Sequence, residues 1–429
     1  MTWGRSGSIL VGCVAVMALT AKEPGAGAGV RWAFVAAALL GCWAWWRLIS
    51  AKEVSLRAVI GLAVVCRLLL FPVLPSLSDD GYRYVWDGML LAQEGISPYA
   101  YTPDDPALGE IQSEEIYSRL NSKRYYSVYP VVSQSVFWLG GLVYGRGWEA
   151  PWFVIKGALV LFEAVGIALL ARVYSARGVA VYALHPLALL EVAGQAHTEA
   201  ILVAALALCL VMARHSTRLG AAIAFAGWVK LFPFGLAVVL GARWRGWLAF
   251  AAVLAVGLPF VLYQGGLLHI LESVALYGGT LDFYAAPFLA LKSALYPLAG
   301  SESGPLAARL LTVVWGGVLL WLFWRCRTRP DETALALALG VTSYALLSPM
   351  QHPWNWIGVL AMVPLLQKKV PVVWVLSLSL LTYLRYVSGD LVYYGAIAVG
   401  WGGGAFLLWR AVRGGSRVSG VPPPATWGL

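Results

Sequence analysis

The stretch "SLSDDGYRYVWDGMLLAQEGISPYAYTPDDP", residues 76–106, follows directly on the apolar run "RLLLFPVLP", residues 67–75. It is polar, aromatic and acidic in a chain that otherwise avoids charge. Two adjacent carboxylates, Asp79 and Asp80, thus stand where hydrocarbon gives way to water. Ser78 can cap a helix beginning at Asp79, and acidic residues suit a first helical turn, whose free N–H groups carry partial positive charge. Asp80, Arg83, Tyr84 and Asp87 then share one face by i, i+3, i+4, i+7 spacing, and Arg83 can pair with Asp87. So far this describes an ordinary amphipathic surface helix. The carboxylate pair asks for more, because neighbouring like charges repel and raise one pKa unless a cation or proton sits between them. A general base held against an electrophile at a membrane surface uses such a pair well.

The surrounding composition sets the class. Of 429 residues, 60% are hydrophobic and 12% charged, and the mean hydropathy is +0.73. These values exclude an ordinary soluble domain and predict an all-α polytopic membrane protein. The apolar runs are continuous, which argues against an outer-membrane barrel of alternating ~10-residue strands. A net charge of +10 could suggest nucleic acid, but the basic residues are scattered between apolar runs and read as a topology signal. Cys13, Cys42, Cys66, Cys209 and Cys326 lie in or at the ends of apolar runs without paired spacing, so no disulfide or metal framework is expected.

Apolar spans are expected at 8–21, 30–49, 57–74, 152–171, 178–192, 198–213, 246–264, 305–325, 332–348, 354–367, 371–386 and 391–411. Residues 8–21 could pass for a signal peptide behind Arg5, but more spans follow at once, so they read as an uncleaved first helix. Basic clusters at 47–57, 172–177, 214–218, 243–245, 325–329, 368–369 and 410–417 all fit one cytoplasmic side on two conditions. Residues 128–145 must dip into the outer surface without crossing. Residues 219–242 must form a re-entrant pair broken near Pro233, since Arg clusters flank them on both sides. About twelve spans result, with both termini cytoplasmic. Asp79 and Asp80 then face outward, together with "GQAHTEA" (194–200), "YGGTLDFYAAP" (277–287) and "SPMQHPWNW" (348–356). A transporter would place its ionisable groups near the midplane. Here they gather at one water–lipid boundary, where an enzyme would meet a lipid-linked substrate.

Five elements in order carry a family resemblance. The first loop supplies Asp79, Asp80, Tyr82, Arg83, Tyr84, Trp86, Asp87, Gly88, Gly95, Pro98 and Tyr99. Then come "YYSVYPVVSQ" with Tyr129 and Pro130, and "LHPLALLEVAGQAHTEA" with Pro186, Glu191, Gly194 and His197. "VKLFP" (229–233) and "SPMQHPWNW", with Pro349, His352, Pro353 and Trp354, complete the series. Together, from about residue 57 to 360, they resemble the GT-C superfamily of integral membrane glycosyltransferases, and most of all its bacterial members that use a polyprenyl-phosphate sugar. Two positions depart: Val131 stands where a second Pro is frequent, and Glu199 where Asp is more usual.

The resemblance implies a GT-C fold and an inverting transfer of a hexose, most often mannose, from a polyprenyl-phosphate donor to a glycan or lipid acceptor. An Asp of the first outer loop would deprotonate the acceptor hydroxyl; Asp79 and Asp80 both qualify, and the spacing to Tyr82 and Asp87 leans to Asp79. A departing phosphate needs cations or N–H donors. His197, His352 and Lys230 are the candidates, with Tyr82, Arg83, Trp86, Asp87, Tyr129, Glu199 and Asp282 as further substrate-binding residues. Each has a plain alternative. A helix-end histidine often bonds only to backbone, Trp354 beside His352 suits any headgroup level, and Lys230 can snorkel or pair with Glu163 or Glu191. Lys230 would lie ~16 Å in from the cytoplasmic boundary, where a charge is a functional candidate by default. Asp282 lies in a segment, 276–295, that reads as an amphipathic helix over the site, and Lys156 and Glu163 read as structural pairs.

Nucleotide-sugar, ATP and zinc motifs are missing, so no cofactor is expected; a divalent ion between Asp79 and Asp80 stays open. The chain reads as one integral domain in the cytoplasmic (cell) membrane, surrounded by membrane lipids. Within it, 1–56 are N-terminal helices, 57–360 a catalytic core with outer loops 75–150 and 265–304, and 361–429 C-terminal helices with a cytoplasmic tail. The rivals are the same fold with another lipid-linked sugar, such as arabinose or glucose, a lipid or sugar transporter, and a non-catalytic membrane scaffold.

Overall fold

The computed structural model describes residues 2–21, 28–145, 147–367, 369–384 and 390–413; Lys368, Arg417 and the rest of the expected tail lie outside them. Regular structure among these residues is helical, apart from an isolated bridge between Phe283 and Met350. One contiguous apolar core joins residues from Leu10 to Ile397.

The all-α polytopic membrane class holds. Among the described residues, 6 stretches are long and apolar enough to cross a bilayer: Trp3–Thr20, Gly29–Ile49, Glu149–Leu170, Trp244–Leu276, Ala286–Thr328 and Val392–Arg413. The pair Ala176–Ala183 and Pro186–Gly194, bent by 51°, makes up to 7. Other expected spans are short or broken. Residues 57–74 give the 15-residue helix Leu56–Leu70, and 198–213 the 13-residue helix Glu199–Val211. Residues 354–367 split into Pro353–Trp356, Ile357–Met362 and Val363–Leu365, with Pro353 at the start and Pro364 at the second break. Such broken backbone survives at membrane depth only inside a protein cover, and Ile357 to Val363 are indeed buried.

The expected re-entrant pair is present. The helix Ser216–Val229 ends at Lys230, which is extended (φ −148°, ψ 141°), and Phe232–Leu240 leads back. Trp244–Leu262 then runs alongside Ser216–Val229 in the same direction. Gly220 abuts the Gly246 carbonyl so closely that a Cβ there would lie 1.9 Å from the oxygen, and Trp228 Nε1 donates to the Val253 carbonyl at 3.1 Å. Both ends of the pair therefore emerge together, and the Arg243 guanidinium bridges them by donating to the Ala213 carbonyl at 3.0 Å. Arg243 also reaches Thr333, and Arg177 reaches the Ala51 carbonyl, so the basic cluster at 243–245 lies beside that at 325–329, and 172–177 beside 47–57.

The first loop does not carry a surface helix. The helix Asp80–Gln93 starts at Asp80, whose N–H is accepted by Ser78 Oγ at 3.3 Å, and Gly81 to Leu90 are all buried. It crosses the 11-residue helix Val131–Gly141, which is too short to span, as the sequence anticipated for 128–145. The crossing is a glycine contact: a Cβ on Gly88 would lie 2.0 Å from the Phe137 oxygen, and one on Gly141 2.0 Å from the Gly88 oxygen.

Candidate active site

Two side chains stitch the first loop to the turn at 194–199. Gln195 Oε1 accepts the N–H groups of Ser76 and Leu77 at 3.0 and 2.9 Å, and its Nε2 donates to Ser76 Oγ at 3.2 Å. Lys156 is buried and donates to the carbonyls of Leu70, Val73 and Gly194 at 3.3, 2.5 and 2.8 Å. The loop's start and the turn are thus fastened directly before Asp79 and directly before His197. Ala196, between them, holds a left-handed φ of 56°, a strained conformation kept in place by these contacts. Glu163, by contrast, is consumed elsewhere: Arg67 holds it in a two-point pair with both contacts at 2.7 Å, and Tyr182 donates to it.

Arg83 and Asp87 form the expected pair at 2.7 Å, with Asp87 fully buried. Asp87 Oδ2 also accepts from Ser127 Oγ at 2.5 Å and Gln134 Nε2 at 3.0 Å. Arg83 donates to the carbonyls of Ser122 and Tyr125 at 3.1 and 2.9 Å, which clamps the strap 121–130 against the helix. Asn121 on that strap donates to Asp79 Oδ2 at 3.0 Å.

Behind this frame lies a cavity of about 1270 Å³. Of the candidates, Asp79, Asp80, Arg83, Tyr129, Glu199, Lys230 and His352 line it. Tyr82, Trp86, Asp87, His197 and Asp282 stand outside its lining. Tyr82, Trp86 and Asp87 are buried in the supporting wall, and Asp282 is paired with Lys292 at 2.8 Å.

Lys230 does not pair with Glu163 or Glu191. It forms an ion pair with Glu199 and donates to Asn355 Oδ1 at 2.8 Å, with its head at the cavity. His197 sits just behind Asp80, its Nδ1 3.8 Å from Asp80 Oδ2 and its Nε2 3.3 Å from Glu191 Oε2. Trp354 stacks on the imidazole at 4.3 Å, His352 stacks on Trp354 at 4.3 Å, and Phe283 stacks on His352 at 4.0 Å. The four polar clusters of the sequence therefore converge on one place. Asn121, Asn355 and Tyr383 also line the cavity, and sequence reasoning missed them as site residues. Asn355 stood inside the quoted "HPWNW"; the other two had no signal beyond their neighbours.

Burial pushes Asp80 above the usual carboxylate range; the His197 charge opposes this, while Glu199 adds to it. Burial likewise raises Asp79, with the Asn121 hydrogen bond opposing. At His197 burial disfavours the charged ring, but Glu191, Asp80 and Glu199 outweigh it, and the pKa stands above the ordinary value. A raised carboxylate beside an imidazole can take a proton from a hydroxyl, and a cation lining the same cavity can hold an anionic leaving group.

The family model described as alpha-(1->6)-mannopyranosyltransferase, N-terminal domain, matches residues 6–246. The chain belongs to that family of GT-C mannosyltransferases. No curated protein and no solved structure matches it. The matched part of this membrane mannosyltransferase contains Asp79, Asp80, His197, Glu199 and Lys230, and it stops before His352, Asn355 and Tyr383. Its substrates are a sugar donor and an acceptor.

Proposed function

We propose that this mannosyltransferase moves mannose from a polyprenyl-phosphate carrier to the hydroxyl of an acceptor outside the cytoplasmic membrane, inverting the anomeric carbon. The observation that carries the reading is the make-up of the cavity. Asp79, Asp80 and Glu199 line it together with Lys230, which is paired with Glu199, and an apolar wing includes Phe232, Leu311, Ala345 and Val313. Val313 lines the cavity and is also 70% exposed on its helix, so the wing opens towards lipid. A cavity of about 1270 Å³ exceeds the ~300–1,000 Å³ of a site for one small ligand. It accommodates a phosphosugar and an acceptor together.

In the proposed step the acceptor oxygen attacks the anomeric carbon on the face opposite the phosphate. Its proton passes to a carboxylate of the first loop, and the carbon–oxygen bond to phosphate breaks with its electron pair on the phosphate. A single displacement inverts the centre. Spacing leaned to Asp79 as base; both carboxylates line the cavity, but Asp79 is the more exposed and is held by Asn121, whereas Asp80 has His197 behind it. We therefore assign the base to Asp80 and the orientation of the acceptor to Asp79. Lys230, released from Glu199, would hold the leaving phosphate, with the free N–H groups of Phe232–Leu240 beside it. The transporter reading loses its support, since Glu163 and Glu191 are engaged in buried pairs away from the cavity lining.

The test is transfer of radiolabelled mannose from synthetic polyprenyl-phosphate-mannose to membrane extract by purified wild type, Asp79→Asn and Asp80→Asn. Asp80→Asn should lose ~10²–10⁴-fold of the rate, the usual share of a general base, and Asp79→Asn distinctly less. Wild-type protein that transfers glucose or arabinose but not mannose would reassign the donor. Folded protein inert with every lipid-linked sugar would end the proposal.

A further inference from the structure

Behind the cavity wall, one buried carboxylate has no part in the reaction just described. Glu191 is fully buried, in a turn of wide helix, Leu189–Gly194, with a three-residue helical turn, Pro186–Ala188, before it. Its Oε1 accepts the Tyr383 hydroxyl at 2.7 Å, and its Oε2 lies 3.3 Å from His197 Nε2. The far side of the same imidazole meets Asp80 Oδ2 at 3.8 Å and the Tyr84 hydroxyl at 3.5 Å. Trp354, flat against the ring, fixes its plane. The four groups form a line, Tyr383–Glu191–His197–Asp80, with its inner carboxylate buried and its outer one on the cavity.

We propose that Glu191, itself held by Tyr383, is a positioning residue that keeps His197 oriented and charged against Asp80 during transfer. The inference rests on the assignment of Asp80 as base. The physical reason is that an imidazole between two carboxylates must have both nitrogens protonated to serve both. Glu191 fixes that state from the buried side, as a second acid fixes a histidine's ring and proton in hydrolytic triads and metal sites. When the acceptor's proton arrives on Asp80 and cancels its charge, His197 still has a partner and does not shed its own proton into the cavity. Tyr383 also lines the cavity, so the line begins and ends at the space where substrates sit.

The groups that face His197 are Asp80 and Tyr84 from the first-loop helix, Glu191 from the preceding turn and Glu199 from the following helix. Lys230 is paired with Glu199, and His352 stacks on the Trp354 that covers the imidazole. Of these, Glu191 touches the nitrogen turned away from Asp80.

The experiment compares Glu191→Gln and Tyr383→Phe with wild type, measuring kcat, donor KM and the pH dependence of transfer. Glu191→Gln keeps the shape and removes the charge. Its kcat should fall ~10–100-fold, the usual loss for a group that orients another, with donor KM within about twofold. Without Glu191 the imidazole loses its charge more easily, Asp80 loses a neighbouring cation, and the acid limb of the rate should move to higher pH. Tyr383→Phe keeps the ring and should shift the limb the same way by a smaller amount, with kcat down by a few fold. It reports even if Glu191→Gln fails to fold. An unmoved acid limb with wild-type kcat in Tyr383→Phe, or in folded Glu191→Gln, would overturn the inference. Absence of transfer by the wild type would instead strike the proposed function.

Discussion

On the side of Asp79 and Asp80, polar side chains are tied to named partners. Gln195 holds Ser76 and Leu77, Lys156 holds three carbonyls, and Arg83 with Asp87 clamps the strap that carries Asn121. From Val274 to Val313 the lining is mostly apolar, with Arg309 and Thr312 the polar exceptions, and both valines are exposed on the outer face while lining the cavity. The contrast separates two demands. Reacting groups must be held within a fraction of an ångström, because misplaced acids and bases lose most of their effect. A prenyl chain needs only apolar surface of about the right width. Lys230 stands at the seam, on an extended residue between two helical pieces, and faces both.

The contrast can be broken most severely at that seam. Lys230→Met should reduce kcat ~10²–10³-fold, as loss of a charge aimed at a leaving group does, with Lys230→Arg retaining more. Near-wild-type turnover in Lys230→Met would move the phosphate to another cation of the cavity, such as Arg309. The acid limb of transfer sharpens the rigid side. Asp80 must be ionised to act, and its pKa is raised by burial, so activity should fall on acidification at a pH above the ~3.9 of an ordinary Asp. A limb at or below that value would detach the rate from Asp80.

A smaller effect is expected from the stitch. Gln195→Leu leaves the N–H groups of Ser76 and Leu77 without their acceptor, a loss of ~1–3 kcal/mol. In kcat/KM this should read as ~10-fold, with the midpoint of thermal unfolding lowered as well. An unchanged kcat/KM would mean that the loop is positioned by Lys156 and packing alone. The least effect belongs to the apolar wing. Val313→Trp should raise KM for a long-chain donor ~3–10-fold with kcat unchanged, the signature of lost uniform binding, and leave a short-chain donor unaffected. Equal effects on both donors would place the chain elsewhere.

How much of this could be read from the residues alone divides along the same line. The loop 76–106, the break near Pro233 and the convergence of four polar clusters were legible, because charge is expensive in hydrocarbon and each exception stands out. The partners were not. Lys230 meets Glu199 rather than Glu163 or Glu191, since the break at Lys230 turns its head into the cavity while those two acids are engaged elsewhere. Asp282 resembled a site residue by its neighbours, yet Lys292, ten positions on, takes it. Tyr383 belongs to a helix 192 residues from Glu191, and a pairing at that range leaves no local pattern. The breaks within apolar runs were not legible either: hydropathy registers the run, and one interrupted at Pro364 inside a protein cover looks the same as a straight one.

The back-fold at Lys230 bears on how the chain is made. Ser216 and Gly246 end up side by side, and a Cβ on Gly246 would touch the Ser216 oxygen at 2.9 Å. Arg214, Arg218, Arg243 and Arg245 can thus all remain where synthesis leaves them, and only the uncharged tip around Phe232 has to sink into the bilayer, drawing Lys230 with it. The hairpin thus delivers a single cation to Glu199 at the cavity while its flanking guanidinium groups stay together at the other end of the fold-back.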